Sequence, residues 1–181
     1  RHIGENRVQE ASAKLPVLRH MIVGLPRLTV HLVGHLQTNK AGAAVGLFDC
    51  IDSLDSLRLA QALSRRLGVT GAPELPVLLE VYVGEDPARP GVRPTALEEV
   101  AGQVLEVPGL RIDGLMTVAP LGANAAAAFQ QVRKLRDTLA AAFPRVHFGV
   151  LSMGMSDDFE IAIAEGSTQV RIGSGIFGPR H

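Results

Sequence analysis

What this chain has little of narrows its class before any motif is read. Eighteen lysines and arginines balance eighteen aspartates and glutamates, giving a formal net charge of zero. A neutral chain lacks the basic footprint of a nucleic-acid or membrane-surface binder, so neither partner is expected. Cysteine occurs once, which excludes an intramolecular disulfide. In its strand-like setting beside Phe48 and Ile51, Cys50 reads as a buried structural thiol rather than a nucleophile, and this fits a reducing cytoplasm. No apolar run is long enough to span a bilayer, and no charged segment followed by an apolar stretch opens the chain. Metal-type spacing of ligands, a carboxylate pair at strand ends, and a glycine-rich dinucleotide turn after an early strand are all missing as well. A metal enzyme and an open nucleotide-binding sheet are thereby disfavoured.

What is there is an alternation. The chain has 181 residues, 46% hydrophobic and only 20% charged, enough to bury one core in a single domain spanning residues 1–181. Strands are predicted near residues 3, 31, 51, 79, 115, 151 and 171. The run from Leu75 to Val83 is apolar almost throughout, as a strand covered on both faces requires. Between the strands, helices are expected from Arg7 to about Pro16, from Ala41 to Leu47 and from Leu54 to Gly68, with Ser53 or Asp55 as the cap of the third. Further helices are expected from Ala96 to Val107 behind a Thr95–Glu98 capping box, from Ala123 to Ala142, and from Asp157 to Glu165. Strand and helix in strict turn imply right-handed crossovers and a parallel sheet. Seven strands fall one short of a closed (β/α)8 TIM barrel, and the chain opens on what reads as a strand end, so a first strand is expected upstream of Arg1.

The segment Val170-Arg171-Ile172-Gly173-Ser174-Gly175-Ile176-Phe177-Gly178 runs from a strand into small residues. Backbone N–H groups there can approach an anion unobstructed, beside the cation of Arg171. The pattern suits a phosphorylated ligand, although Gly173 and Gly175 equally suit a plain tight turn. In a barrel, working groups gather at the C-terminal ends of the strands and phosphate sites favour the last two loops. Ser152, Met153, Gly173 and Ser174 are therefore the candidate phosphate cradle.

Six ordered motifs carry a family resemblance: Gly4-Glu5-Asn6 with Gln9-Glu10; Val33-Gly34-His35-Leu36-Gln37-Thr38-Asn39-Lys40; Asp52-Ser53-Leu54-Asp55-Ser56; Gly114-Leu115-Met116-Thr117; Leu151 to Phe159; and Val170 to Gly178. Together they are similar to the pyridoxal phosphate homeostasis protein family, also called the YggS/PROSC family. The resemblance implies a barrel like the N-terminal domain of alanine racemase and a cytoplasmic protein; a monomer is expected. Such a protein binds pyridoxal 5′-phosphate, buffers it and hands it to client enzymes, with no catalytic residues of its own. It further implies a Schiff-base lysine on the first strand, upstream of Arg1; Lys14, Lys40 and Lys134 have no matching context. By the same resemblance Arg171 faces the pyridine nitrogen and Asn6 lies near the ring's phenolic oxygen. His35 either lines the pocket or is a structural strand-end residue. Arg89 replaces a lysine that many members carry, and Asp157 and Asp158 are read as complements to a helix dipole. The alternative is a low-activity amino-acid racemase of fold type III, for which the single tyrosine, Tyr82, is the one available phenol.

Overall fold

The computed structural model describes residues 1–21, 28–120 and 124–178. Seven strands, β1 (His2–Glu5), β2 (Thr29–Leu32), β3 (Cys50–Leu54), β4 (Leu75–Glu80), β5 (Leu110–Met116), β6 (Val150–Met155) and β7 (Gln169–Arg171), form one sheet in sequence order. Every neighbouring pair is parallel. The intervening helices are α1 (Val8–Met21), α2 (Ala41–Ala44), α3 (Leu57–Thr70), α4 (Leu97–Leu105), α5 (Ala125–Ala142) and α6 (Phe159–Ala164), with a single turn α7 (Ser174–Phe177) after β7.

The sheet is curled into a nearly closed barrel, and one side-chain bond shows it. Four strand spacings separate β3 from β7, roughly 19 Å if the sheet were flat. Yet the Gln169 Nε2 group on β7 donates to Asp52 Oδ2 on β3 at 2.8 Å. Only curvature brings them together. Among the described residues, β1 and β7 do not pair with each other.

Strand alternation sorts the side chains into two layers. Val30, Leu32, Ile51, Val77, Leu79, Ile112, Leu115, Leu151 and Met153 join the main hydrophobic core with α3 residues such as Leu59 and Leu63. The alternate positions carry His31, Cys50, Asp52, Glu80, Ser152, Gln169 and Arg171, and the hydrogen bonds among six of them show that this set lines the interior. Apolar burial against the helices holds the wall, at about 25 cal/mol per Å² of apolar surface removed from water. The interior is left free for polar groups.

Helix boundaries depart from the sequence reading in instructive ways. α1 continues through Pro16 to Met21. Pro16 lies on the exposed side of the helix, where water can take the carbonyl its missing N–H leaves free. The Thr95–Glu98 capping box is not formed; Pro94–Ala96 make a 3₁₀ turn with Pro94 at its start, and α4 begins at Leu97 without a side-chain cap. A 3₁₀ turn at Thr38–Lys40 also leads into α2, which ends at Ala44 rather than Leu47. α3 is capped by Ser56, whose hydroxyl accepts from the Leu59 N–H, and neither Ser53 nor Asp55 does this. α6 is shorter than expected at Phe159–Ala164, and of the Ala123–Ala142 helix residue 123 lies outside the described residues, with Asn124 capping α5.

Candidate functional site

β6 runs to Met155, so Ser152 and Met153 are mid-strand rather than at the strand end. Ser152 faces inward and Met153 outward: the Met153 side chain is fully buried in the helix-facing core, leaving only its backbone near the mouth. This corrects the expectation that β6 ends at Ser152 and Met153. Arg171, the last residue of β7, reaches back across the interior. Its Nη1 donates to the Ser152 carbonyl and hydroxyl, both at 2.8 Å, and its Nη2 donates to the Thr117 carbonyl at 2.7 Å. Three of five guanidinium donors are thus used, leaving two for a ligand. Burial pushes the Arg171 pKa down, opposed by the charges of Asp52, Glu80 and Asp158. The guanidinium remains the fixed cation of the site.

The turn after β7 leads straight into the single helical turn α7. Gly173 precedes α7 with no side-chain cap, and a Cβ there would meet nothing within 4 Å. The Gly175 N–H donates to Ser156 Oγ at 3.2 Å. Ser156, the first residue beyond β6, therefore braces the turn; the Leu151–Phe159 motif contains it, but nothing in that motif singles it out. Asp158 accepts from the Met155 N–H at 2.6 Å, closing the β6–α6 turn instead of capping its own helix.

On the opposite rim, His35 is half exposed and pairs with Asp55 at 3.0 Å. Both border a cleft of about 400 Å³ whose far wall includes Arg89 and Arg93. Asn6 follows β1 and is exposed; its backbone is packed so closely on Gly34 that any Cβ at 34 would collide with the Asn6 carbonyl oxygen. The structure thus brings Ser152 and Arg171 into contact, with Gly173 and Ser174 in the turn that follows β7, and sets Asn6 and His35 on the β1 and β2 side. Lys14 is on the surface of α1, bound to Glu5.

Two features were illegible in the sequence. Glu80, at the end of β4, is only 8% exposed, and its Oε2 has no hydrogen-bond partner among the described residues. Burial, with Asp55 adding to it, pushes its carboxyl up to about 7 against the attraction of Arg171 and Arg89. The second is a chain of polar contacts through the interior. His2 Nδ1 and His31 Nε2 are 2.9 Å apart, and His31 Nδ1 lies 2.9 Å from Asp52 Oδ1. Cys50 Sγ donates to the same oxygen at 3.1 Å, and Gln169 joins Asp52 to Ser152 Oγ. Burial and the neighbouring Asp52 push the Cys50 thiol far up, in keeping with a structural thiol. Burial, with His31 beside it, pushes the His2 imidazole down.

A curled parallel wall with a buried guanidinium at its C-terminal rim and an open glycine turn beside it defines a barrel domain of the alanine racemase type. The family model described as alanine racemase, N-terminal domain, matches residues 1–181. The chain belongs to the pyridoxal phosphate homeostasis protein family. A member from Aquifex aeolicus is 41% identical over 180 residues, covering 98% of this chain and 76% of its own length. The solved structure of PipY from Synechococcus elongatus PCC7942, with PLP bound, is 42% identical with a TM-score of 0.87, covering 98% of this chain and 82% of that one. An alanine racemase of Clostridium difficile 630 shares the fold at 13% identity and a TM-score of 0.68, over 95% of this chain and 43% of that one. Among the described residues no helix is long and apolar enough to cross a membrane.

Proposed function

We propose that this chain binds pyridoxal 5′-phosphate and serves in its intracellular buffering and delivery to client enzymes, as a cytoplasmic, monomeric, non-catalytic carrier in one domain over residues 1–181. The observation that carries the reading is Arg171, a cation fixed by three hydrogen bonds with donors to spare beside an uncapped glycine turn. The residues fit the group. Gly173 leaves open space where a side chain would otherwise stand, and small residues with main-chain donors suit a phosphate. PipY, 42% identical, has been solved with PLP bound, which supports the same cofactor here.

When bound, pyridoxal phosphate supplies a reactive aldehyde on an electron-poor ring. The chain's own residues set how far that reactivity goes. A guanidinium has donors and no acceptor, so Arg171 directed at the ring nitrogen keeps that nitrogen unprotonated. The ring is then a poor electron sink, which suits a carrier. Ser152 and Thr117 hold the Arg171 fork in place, Ser156 holds the Gly175 N–H just beyond the Gly173–Ser174 turn that would take the phosphate, and Met153 contributes main chain only. Asn6 and His35 line the far side of the mouth, Asn6 toward the phenolic oxygen. Tyr82 is 8% exposed with Arg93 stacked 4.6 Å from its ring centroid, which gives its ring a packing role.

The test is a titration of this chain with pyridoxal phosphate and with pyridoxal, followed by ligand absorbance. Saturable binding of the phosphorylated form, at least ten-fold tighter than pyridoxal, is expected. Equal affinity for the two would overturn the phosphate cradle, and unchanged retention in a folded Arg171→Glu variant would overturn the ring contact. Exchange of the alanine α-proton in deuterated water at an enzyme-like rate would give the racemase reading the better claim.

A further inference from the structure

We propose that His31, Cys50 and Asp52 form a binding site for one divalent transition-metal ion of the zinc class, inside the barrel and separate from the Gly173–Ser174 turn. His31 and Cys50 are directly paired across β2 and β3, and Asp52 is two residues on, so all three side chains leave the same face of the sheet. One donor atom from each lies within 4.8 Å of the others, and the residues are 8%, 7% and 0% exposed. Imidazole nitrogen, thiolate sulfur and carboxylate oxygen are the donor types zinc takes.

The present contacts show how close the arrangement is to coordination. His31 Nδ1 and Cys50 Sγ both point at the single atom Asp52 Oδ1, at 2.9 and 3.1 Å. Around a tetrahedral zinc ion these separations become roughly 3.3 and 3.6 Å. The two pairs that share Asp52 each open by about half an ångström, and the His31–Cys50 pair, within 4.8 Å, settles into the same range, all within the reach of side-chain torsion.

The protons balance, and the filled cluster ends with no net charge. Asp52 accepts from His31, Cys50 and Gln169, so the His31 proton is on Nδ1 and His2 Nδ1–H donates to His31 Nε2. On metal entry, Nδ1 gives up its proton and binds the ion, while Nε2 becomes the protonated nitrogen and donates to His2. His2, exposed at the start of β1, shifts its own proton to Nε2, so the two rings hold the same number of protons before and after. The thiol proton is the one released to solvent. The cluster's charge changes from minus one, on Asp52, to zero, the sum of one divalent cation, a thiolate and a carboxylate. His2 then becomes the outer hydrogen-bond partner that fixes the orientation of a metal-bound imidazole, and Gln169 does the same for Asp52.

The experiment uses tag-free chain stripped with chelator and titrated with Co²⁺, then with Zn²⁺ in competition. Uptake of one ion per chain, a sulfur-to-cobalt charge-transfer band in the near ultraviolet and release of one proton per ion are expected. Cys50→Ser should abolish the band and weaken uptake at least ten-fold; His31→Gln should weaken uptake by a similar factor, which keeps the test intact if the serine variant fails to fold. His2→Ala should retain the band. Absence of stoichiometric uptake by the wild-type chain overturns the proposal, as does uptake that depends on His2 and not on Cys50. The metal is the only ligand present, so the outcome is independent of cofactor binding.

Discussion

Replacing Glu80 with glutamine tests how the barrel interior handles charge. The carboxyl is buried, one oxygen lacks a partner, and its ordinary value of 4.5 is pushed up to about 7 in the fold. Between those two values the folded chain holds a proton that the unfolded chain has lost, so stability falls as pH rises from about 4.5 to 7. The gap is equivalent to about 3 kcal/mol. Glutamine keeps the shape without the charge, at the cost of amide protons that need partners. At pH 8, Glu80→Gln should therefore be about 2–3 kcal/mol more stable than the wild type, whereas at pH 4.5 the two should coincide within about 1 kcal/mol. Urea unfolding at half-unit steps from pH 4.5 to 8 measures the difference directly, because the carboxyl at position 80 is the titrating group the two proteins do not share. A difference that is flat across this range, or a variant less stable at pH 8, would refute the reasoning.

Three further outcomes follow from the packing. Gly34→Ala must displace the Asn6 carbonyl, and a loss of about 2 kcal/mol is expected, about 4–8 °C in Tm at this chain length, with weaker cofactor retention if Asn6 lines the site. Arg171→Gln leaves the Thr117 and Ser152 carbonyls short of a donor and should cost about 2–3 kcal/mol in chemical denaturation while reducing pyridoxal phosphate affinity. His35→Ala removes a half-exposed contact with Asp55 and should cost below about 1 kcal/mol, so that any fall in affinity by titration reports the site rather than the fold.

Much of this architecture was legible in the linear chain, because alternation of apolar strands and amphipathic helices is a local property. The strand positions hold to within a few residues, and the order of the motifs identifies the family. Boundaries failed where a local rule met its surroundings. Pro16 is tolerated because it is on the exposed side of α1, and Thr95 loses its capping role because Pro94 starts a turn one step earlier. Met153 illustrates the site-level limit: a motif marks the segment, but the two-residue period decides which of its neighbours faces inward, and β6 runs two residues further than the motif suggested.

Sequence alone determined the class: the charge balance, the single thiol, the parallel alternation and the glycine turn with Arg171 are all written in consecutive residues. Tertiary structure decided what those residues touch. No spacing in the chain announces that His2, His31, Cys50, Asp52 and Gln169 form one polar chain, since Gln169 and Asp52 are 117 positions apart and meet only because the sheet curls. Nor does any pattern reveal that Glu80 is buried without a partner for one oxygen. Strand registry and barrel curvature set those distances, and it is the distances that turn separate polar residues into a site.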